Sequence, residues 1–104
     1  MNNLANNKLI LGLIGAGGRG TGVILGMQKC RPGVEVKYVC DVDASRGGRA
    51  ISELGKQQGY EPQRIEDMRQ VYDDPEVDAV VICTPEHWHA LATIRACEAG
   101  KHVY

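Results

Sequence analysis

The run Leu9-Ile10-Leu11-Gly12-Leu13-Ile14 leads straight into Gly15-Ala16-Gly17-Gly18-Arg19-Gly20. No other feature of the chain restricts its fold as much. A nearly continuous apolar stretch from Lys8 to Ile14 suits a strand buried on both faces, as in the middle of a parallel sheet. The glycines then form a turn, and Thr21 to Cys30 reads as a helix with Val23, Ile24, Met27 and Cys30 inward. Arg31-Pro32-Gly33 stops it.

The same alternation continues along the chain. Val34 to Cys40 is a β-branched strand closed by Asp41. Ala44 to Gln58 reads as a helix, with Asp43 as N-cap and Gly59 as stop. Gln63-Arg64-Ile65 is a short edge strand, and Glu66 to Tyr72 a short helix. Ala79 to Cys83 is another buried strand. Glu86 to Ala99 is a helix with Ala90, Leu91, Ile94 and Cys97 inward, and His102 begins a fifth strand. Strands and helices in this rhythm predict one α/β domain over residues 8–104. Its doubly wound parallel sheet has order 3-2-1-4 plus the start of a fifth strand. The Asn-rich residues 1–7 are expected to be disordered.

Composition narrows the function classes. The formal net charge is −1, without the basic excess that drives nucleic-acid binding. The longest apolar stretch is too short to span a bilayer. With no secretory leader recognised, a cytoplasmic protein is expected. Residues 1–60 carry eight Lys/Arg against four Asp/Glu, a bias that favours an anion near the glycines. Cys30, Cys40, Cys83 and Cys97 include no Cys-x-x-C pair, so buried free thiols are expected rather than a zinc site.

Gly15-Ala16-Gly17-Gly18-Arg19-Gly20 is a G-x-G-x-x-G in the right place, after a buried strand and before a helix. Gly15 permits the tight turn, Gly17 lets backbone approach a pyrophosphate, and Gly20 lets helix and strand pack closely. Free amides and the positive helix end then face the phosphates. Asp41 lies 21 residues beyond Gly20, where a carboxylate accepts hydrogen bonds from the adenosine ribose and repels a 2′-phosphate. NAD is therefore expected over NADP. Arg46, near enough to flank the adenine or a 2′-phosphate, keeps NADP open. Asp43 competes with Asp41 for the role of turn carboxylate. Arg19 either touches phosphate or is solvated. Thr84 and Pro85, after the fourth strand, are expected at the nicotinamide end of the crevice. His87 and His89 are two apart on a helix and share no face, which disfavours a metal. A packing or pocket-lining role is the simpler reading of His87.

Taken with Cys40-Asp41, Thr84-Pro85-Glu86-His87-Trp88-His89 and Ala99-Gly100-Lys101-His102-Val103-Tyr104, the glycine loop resembles the amino-terminal Rossmann domain of the Gfo/Idh/MocA oxidoreductases. The resemblance runs from about Lys8 to Tyr104. It implies NAD or NADP as cofactor and a hydride moved to or from a sugar or polyol carbon. It also makes His89 the histidine of the Thr-Pro motif and a cofactor-binding candidate. The family's next motif, Glu-Lys-Pro, and its substrate domain would follow Tyr104. The chain is thus expected to be a partial domain, inactive alone and self-associating as a homodimer through an exposed sheet edge. A fragment of an NAD-dependent glycoside hydrolase and an inactive structural module are the alternatives.

Overall fold

The computed structural model describes residues 8–31, 33–43, 45–84 and 86–104, without the side chains of 86–88 and 90. In chain order the elements are β1 (Leu9–Ile14), α1 (Gly18–Cys30), β2 (Val34–Cys40), α2 (Gly48–Gln58), β3 (Gln63–Ile65), α3 (Arg69–Asp73), β4 (Ala79–Ile82), α4 (Glu86–Glu98) and β5 (His102–Val103). The strands form one sheet in the order β3-β2-β1-β4-β5. Every pairing is parallel, with Ile14 opposite both Cys40 and Ile82. This is the doubly wound α/β arrangement expected, with the fifth strand paired at the edge.

The alternation of β1 explains the two layers. Leu9, Leu11 and Leu13 point to one face, where they join Ile24 of α1 and Ala50 and Leu54 of α2. Ile10 and Ile14 point to the other, against Val71 and Tyr72 of α3 and Ala92 and Ala96 of α4. A strand covered on both sides has no polar face, hence its unbroken apolar sequence. Where the short strand β3 does not reach, side chains satisfy the backbone. The Gln58 amide accepts from Val36 N–H at 2.8 Å and donates to Val36 C=O at 2.9 Å. On the β4 side of β1, just before β4 begins, the Asp78 carboxylate accepts from Ile10 N–H at 3.0 Å.

Several local expectations are corrected. Helix α1 begins at Gly18 rather than Thr21, and its buried positions are Gly20, Thr21 and Ile24. Val23 and Cys30 stand outside, because close packing at Gly20 rotates the helix onto that stripe. Helix α2 begins at Gly48, not Ala44. Its N-cap is Gly47 at φ +104°, and the Asp43 carboxylate instead closes a turn on Ser45, 2.9 Å from N–H and 2.7 Å from Oγ. Helix α3 begins at Arg69, not Glu66, after Asp67 accepts from Arg69 N–H at 3.0 Å. Among the described side chains of α4 the inward ones are Ala92 and Ala96, while Leu91, Ile94 and Cys97 are exposed; the Ala90 side chain, also expected inward, lies outside the described residues. Small side chains let this helix lie close on the sheet, with Tyr72 Oη donating to Ala92 C=O at 2.9 Å. Of the four thiols only Cys40 is buried; Cys30 and Cys97 are exposed and Cys83 is half-buried, so the expectation of buried thiols fails for the other three.

Candidate functional site

A cavity of about 750 Å³ opens at the carboxyl ends of β1, β2 and β4. This is the crevice where strand order reverses. Its walls include the whole glycine loop from Gly15 to Gly20, the turn after β2 (Asp41–Asp43, Ser45–Arg49), Glu66 and Met68, and Cys83 and Thr84 after β4.

The three motif glycines are not equivalent. Gly15 has φ +95°, and a Cβ there would lie 2.6 Å from the Cys83 carbonyl oxygen. A Cβ on Gly20 would lie 2.1 Å from the Gly15 carbonyl oxygen. The fold itself demands both glycines. Gly17 differs: its φ is −69°, and the nearest atom to a Cβ there is Arg46 Nη1 at 3.7 Å. No protein packing requires a glycine at this place. The open wall it leaves is the shape of a cradle that a side chain would fill. Gly17 is the N-cap of α1, and no side chain caps the helix. The first turn, carrying Gly18 and Arg19, contains no acidic residue and lines the cavity. Uncapped amides at a helix start are donors for an anion. Thr21 Oγ1, buried behind them, donates to Ala16 C=O at 3.2 Å and pins the loop from below.

Asp41 stands at the end of β2 beside this loop. Its Oδ2 accepts from Ala16 N–H at 2.9 Å and its Oδ1 from Asp43 N–H at 2.9 Å. Asp43, expected as its competitor, is occupied by Ser45. Hydrogen bonds from Ser45 hold the exposed Asp43 carboxyl below the usual carboxylate range. Arg46 lines the cavity, with Nε 3.6 Å from Asp43 Oδ2. Arg19 also lines it. Burial pushes the Cys83 thiol up, and the Arg19 charge partly opposes that. The Thr84 hydroxyl is buried and has no hydrogen-bond partner among the described residues. Such a donor is available to a partner atom in the cavity.

The structure thus brings Gly15, Ala16, Gly17, Gly18, Arg19, Gly20, Asp41, Arg46 and Thr84 around one space. His89 is exposed and is not among the lining residues; Thr93 Oγ1 donates to its backbone carbonyl at 2.8 Å. Pro85, residues 1–7 and the His87 side chain lie outside the described residues. Sequence reasoning passed over Val42, Arg49 and Met68, which also line the cavity. Val42 is 74% exposed. A large aliphatic side chain left in the open right after a buried strand and its carboxylate was the available signal for an apolar surface at this end.

The fold and this crevice define a dinucleotide-binding Rossmann domain. Residues 9–104 match the family model described as "Oxidoreductase family, NAD-binding Rossmann fold" (GFO_IDH_MocA). The chain belongs to that family and is its NAD-binding domain. It is 34% identical over 99 residues to a glycosyl hydrolase family 109 protein of Shewanella pealeana, covering 90% of this chain and 21% of the relative. It therefore spans about a fifth of the length of such curated relatives. Among solved structures, an NAD-binding protein from Listeria innocua is 34% identical with a TM-score of 0.71, over 92% of this chain and 26% of that one. Levoglucosan dehydrogenase in complex with NADH and levoglucosan is 30% identical with a TM-score of 0.67, over 92% and 26%. Among the described residues no helix is long and apolar enough to cross a membrane.

Proposed function

We propose that this chain grips the adenosine and pyrophosphate of NAD for an enzyme that transfers a hydride to or from a sugar or polyol carbon. The open wall at Gly17, which the fold does not need, carries the reading. The uncapped amides from Gly17 onward would hold the diphosphate, with Arg19 and Arg46 adding positive charge. Asp41 would accept from the ribose hydroxyls, and Val42 would lie against the base. At the other end Thr84, with Pro85 and His89 as the resemblance implies, would border the nicotinamide. When bound, the nicotinamide supplies the hydride acceptor or donor. The cofactor reading is supported by levoglucosan dehydrogenase, whose solved complex holds NADH and levoglucosan.

Asp41 sets the preference within the cofactor class. A carboxylate beside the ribose disfavours a 2′-phosphate by like-charge repulsion, so NAD is preferred to NADP. Calorimetric titration with NAD, NADP and AMP tests this. The expected order is NAD tightest and NADP weaker, with Asp41→Ser narrowing the gap. Absence of binding by all three at millimolar concentration overturns the reading.

A second reading has a specific observation behind it, the curated glycosyl hydrolase relative. There the same crevice would serve a cofactor that cycles transiently during glycoside cleavage. Cleavage of a glycoside by the whole protein without accumulation of NADH favours this version; net NADH formation with a polyol favours the first. Self-association belongs to the proposal as well. The edge strand β5 and the exposed side chains of Leu91, Ile94 and Tyr104 support pairing with a second copy. Light scattering that shows only monomer at tens of micromolar removes that part.

A further inference from the structure

We propose that Arg64 is a positioning residue for the adenosine end of the crevice; the inference rests on the dinucleotide reading above. Arg64 sits in the middle of β3, opposite Val39 of β2, and does not line the cavity. Its guanidinium reaches under the turn that follows β2. Nη2 donates to the Asp43 carbonyl at 2.7 Å and to the Asp41 carbonyl at 3.2 Å, and Nε donates to the Arg46 carbonyl at 3.1 Å. One side chain thus holds three carbonyls across the segment that presents Asp41 and Arg46 to the cavity.

The neighbouring backbone completes the grip. Asp41 N–H donates to Ile65 C=O at 3.1 Å. Both backbone polar groups of Asp41 are therefore held from β3, and its carboxylate is left to face the glycine loop. Gly47, at φ +104°, turns the chain back over the same guanidinium: a Cβ there would lie 3.7 Å from Arg64 Nε. The acidic neighbour Glu66 is 3.8 Å away and 63% exposed, so that ion pair adds little. The hydrogen bonds to carbonyls are the stronger contacts.

A guanidinium suits this task and an ammonium does not. Its five donors lie in one rigid plane and serve several acceptors at once, whereas lysine offers a single point of donation on a flexible stem. With Arg64 replaced, at least two of the three carbonyls lose their partner. The turn then loosens, and with it the aim of Asp41. The glycine loop keeps its other anchors, Gly15 N–H on Cys40 C=O at 2.8 Å and Thr21 Oγ1 on Ala16 C=O at 3.2 Å, and with them its shape at Gly17 and Gly18.

The test compares wild type, Arg64→Lys and Arg64→Met by thermal melting and by calorimetric titration with NAD and AMP. Amide NMR shifts of the glycine loop on titration with inorganic pyrophosphate are recorded in parallel. Arg64→Lys is expected to melt between wild type and Arg64→Met and, while folded, to lose about tenfold in affinity for both NAD and AMP. Pyrophosphate shifts at Gly17 and Gly18 are expected to be unchanged. A purely structural role gives a different pattern: lower melting in Arg64→Met, restored in Arg64→Lys, with wild-type affinity in the folded protein. That pattern overturns the proposal, as does loss of folding in both variants. If wild type itself binds neither NAD nor AMP, the dinucleotide reading falls and takes this inference with it.

Discussion

Gly20→Ala is a sharp test of how the glycine loop is built. The added Cβ would lie 2.1 Å from the Gly15 carbonyl oxygen and 3.2 Å from Cys83 Cβ, where ordinary contact begins at 3.4 Å. The nearer atom is backbone, so no change of rotamer relieves the clash. The first turn of α1 must retreat from β1 by roughly 1.3 Å, the difference between those distances. Overpacking of this kind costs about 1–3 kcal/mol, and alanine in a helix returns about 0.5–1 kcal/mol relative to glycine. The net loss is about 0–2.5 kcal/mol. In a domain of this size each kcal/mol corresponds to about 4–8 °C in melting temperature. The effect on binding is larger than the effect on folding. Amides displaced by more than an ångström no longer reach the diphosphate, and losing one hydrogen bond to a charged group costs about 1.5–3 kcal/mol, tenfold or more in Kd. Gly22→Ala is the matched control. It lies in the same helix, has nothing within 4 Å of the new Cβ and does not line the cavity. It should raise the melting temperature and leave NAD affinity unchanged. Thermal melts and calorimetry on both variants decide the matter. A Gly20→Ala protein that binds NAD like wild type and melts no lower would refute the close-approach argument.

Two further outcomes follow from particular contacts. Thr84→Ala removes a buried hydroxyl that has no partner among the described residues. Stability should stay level or rise by about 1 kcal/mol while NAD affinity falls; lower stability with unchanged affinity would contradict the ligand role. Asp74 accepts from Tyr38 Oη at 2.6 Å and pairs with Lys37 Nζ at 2.5 Å. Burial raises its carboxyl, but the bonds from Lys37 and Tyr38 outweigh that and leave it below the ordinary 3.8. A lowered carboxyl stabilises the fold above its unfolded value and loses that contribution as pH falls through the folded one. Asp74→Asn should therefore cost about 2 kcal/mol near neutral pH, with the gap to wild type closing below the ordinary 3.8 in urea titrations at stepped pH. A gap that is constant with pH argues against the ionic reading.

What could be read before folding was whatever is local. The strand β1 announces itself because burial on both faces leaves no polar residue between Leu9 and Ile14. The glycine loop is legible because its glycines follow one another. The face of α4 was misjudged because hydrophobicity ranks Leu91 and Ile94 above Ala92 and Ala96, whereas the clearance between helix and sheet selects for size. The start of α2 was misjudged because Asp43 looks like an N-cap, and only the chain reversal at Gly47 shows that the helix begins later. Arg64 was invisible for a different reason. Its partners are 18 to 23 residues away, and a three-residue edge strand carries no pattern that points to them.

The hydrogen bond from Ala16 N–H to Asp41 has a consequence for how a cofactor arrives. It ties the turn after β1 to the turn after β2, the two segments that would hold the diphosphate and the ribose under the proposed function. On that reading the tie between the two segments lowers the ordering entropy lost when a dinucleotide binds. A molecule with a different distance between its diphosphate and its ribose would then fit the pair of segments less well.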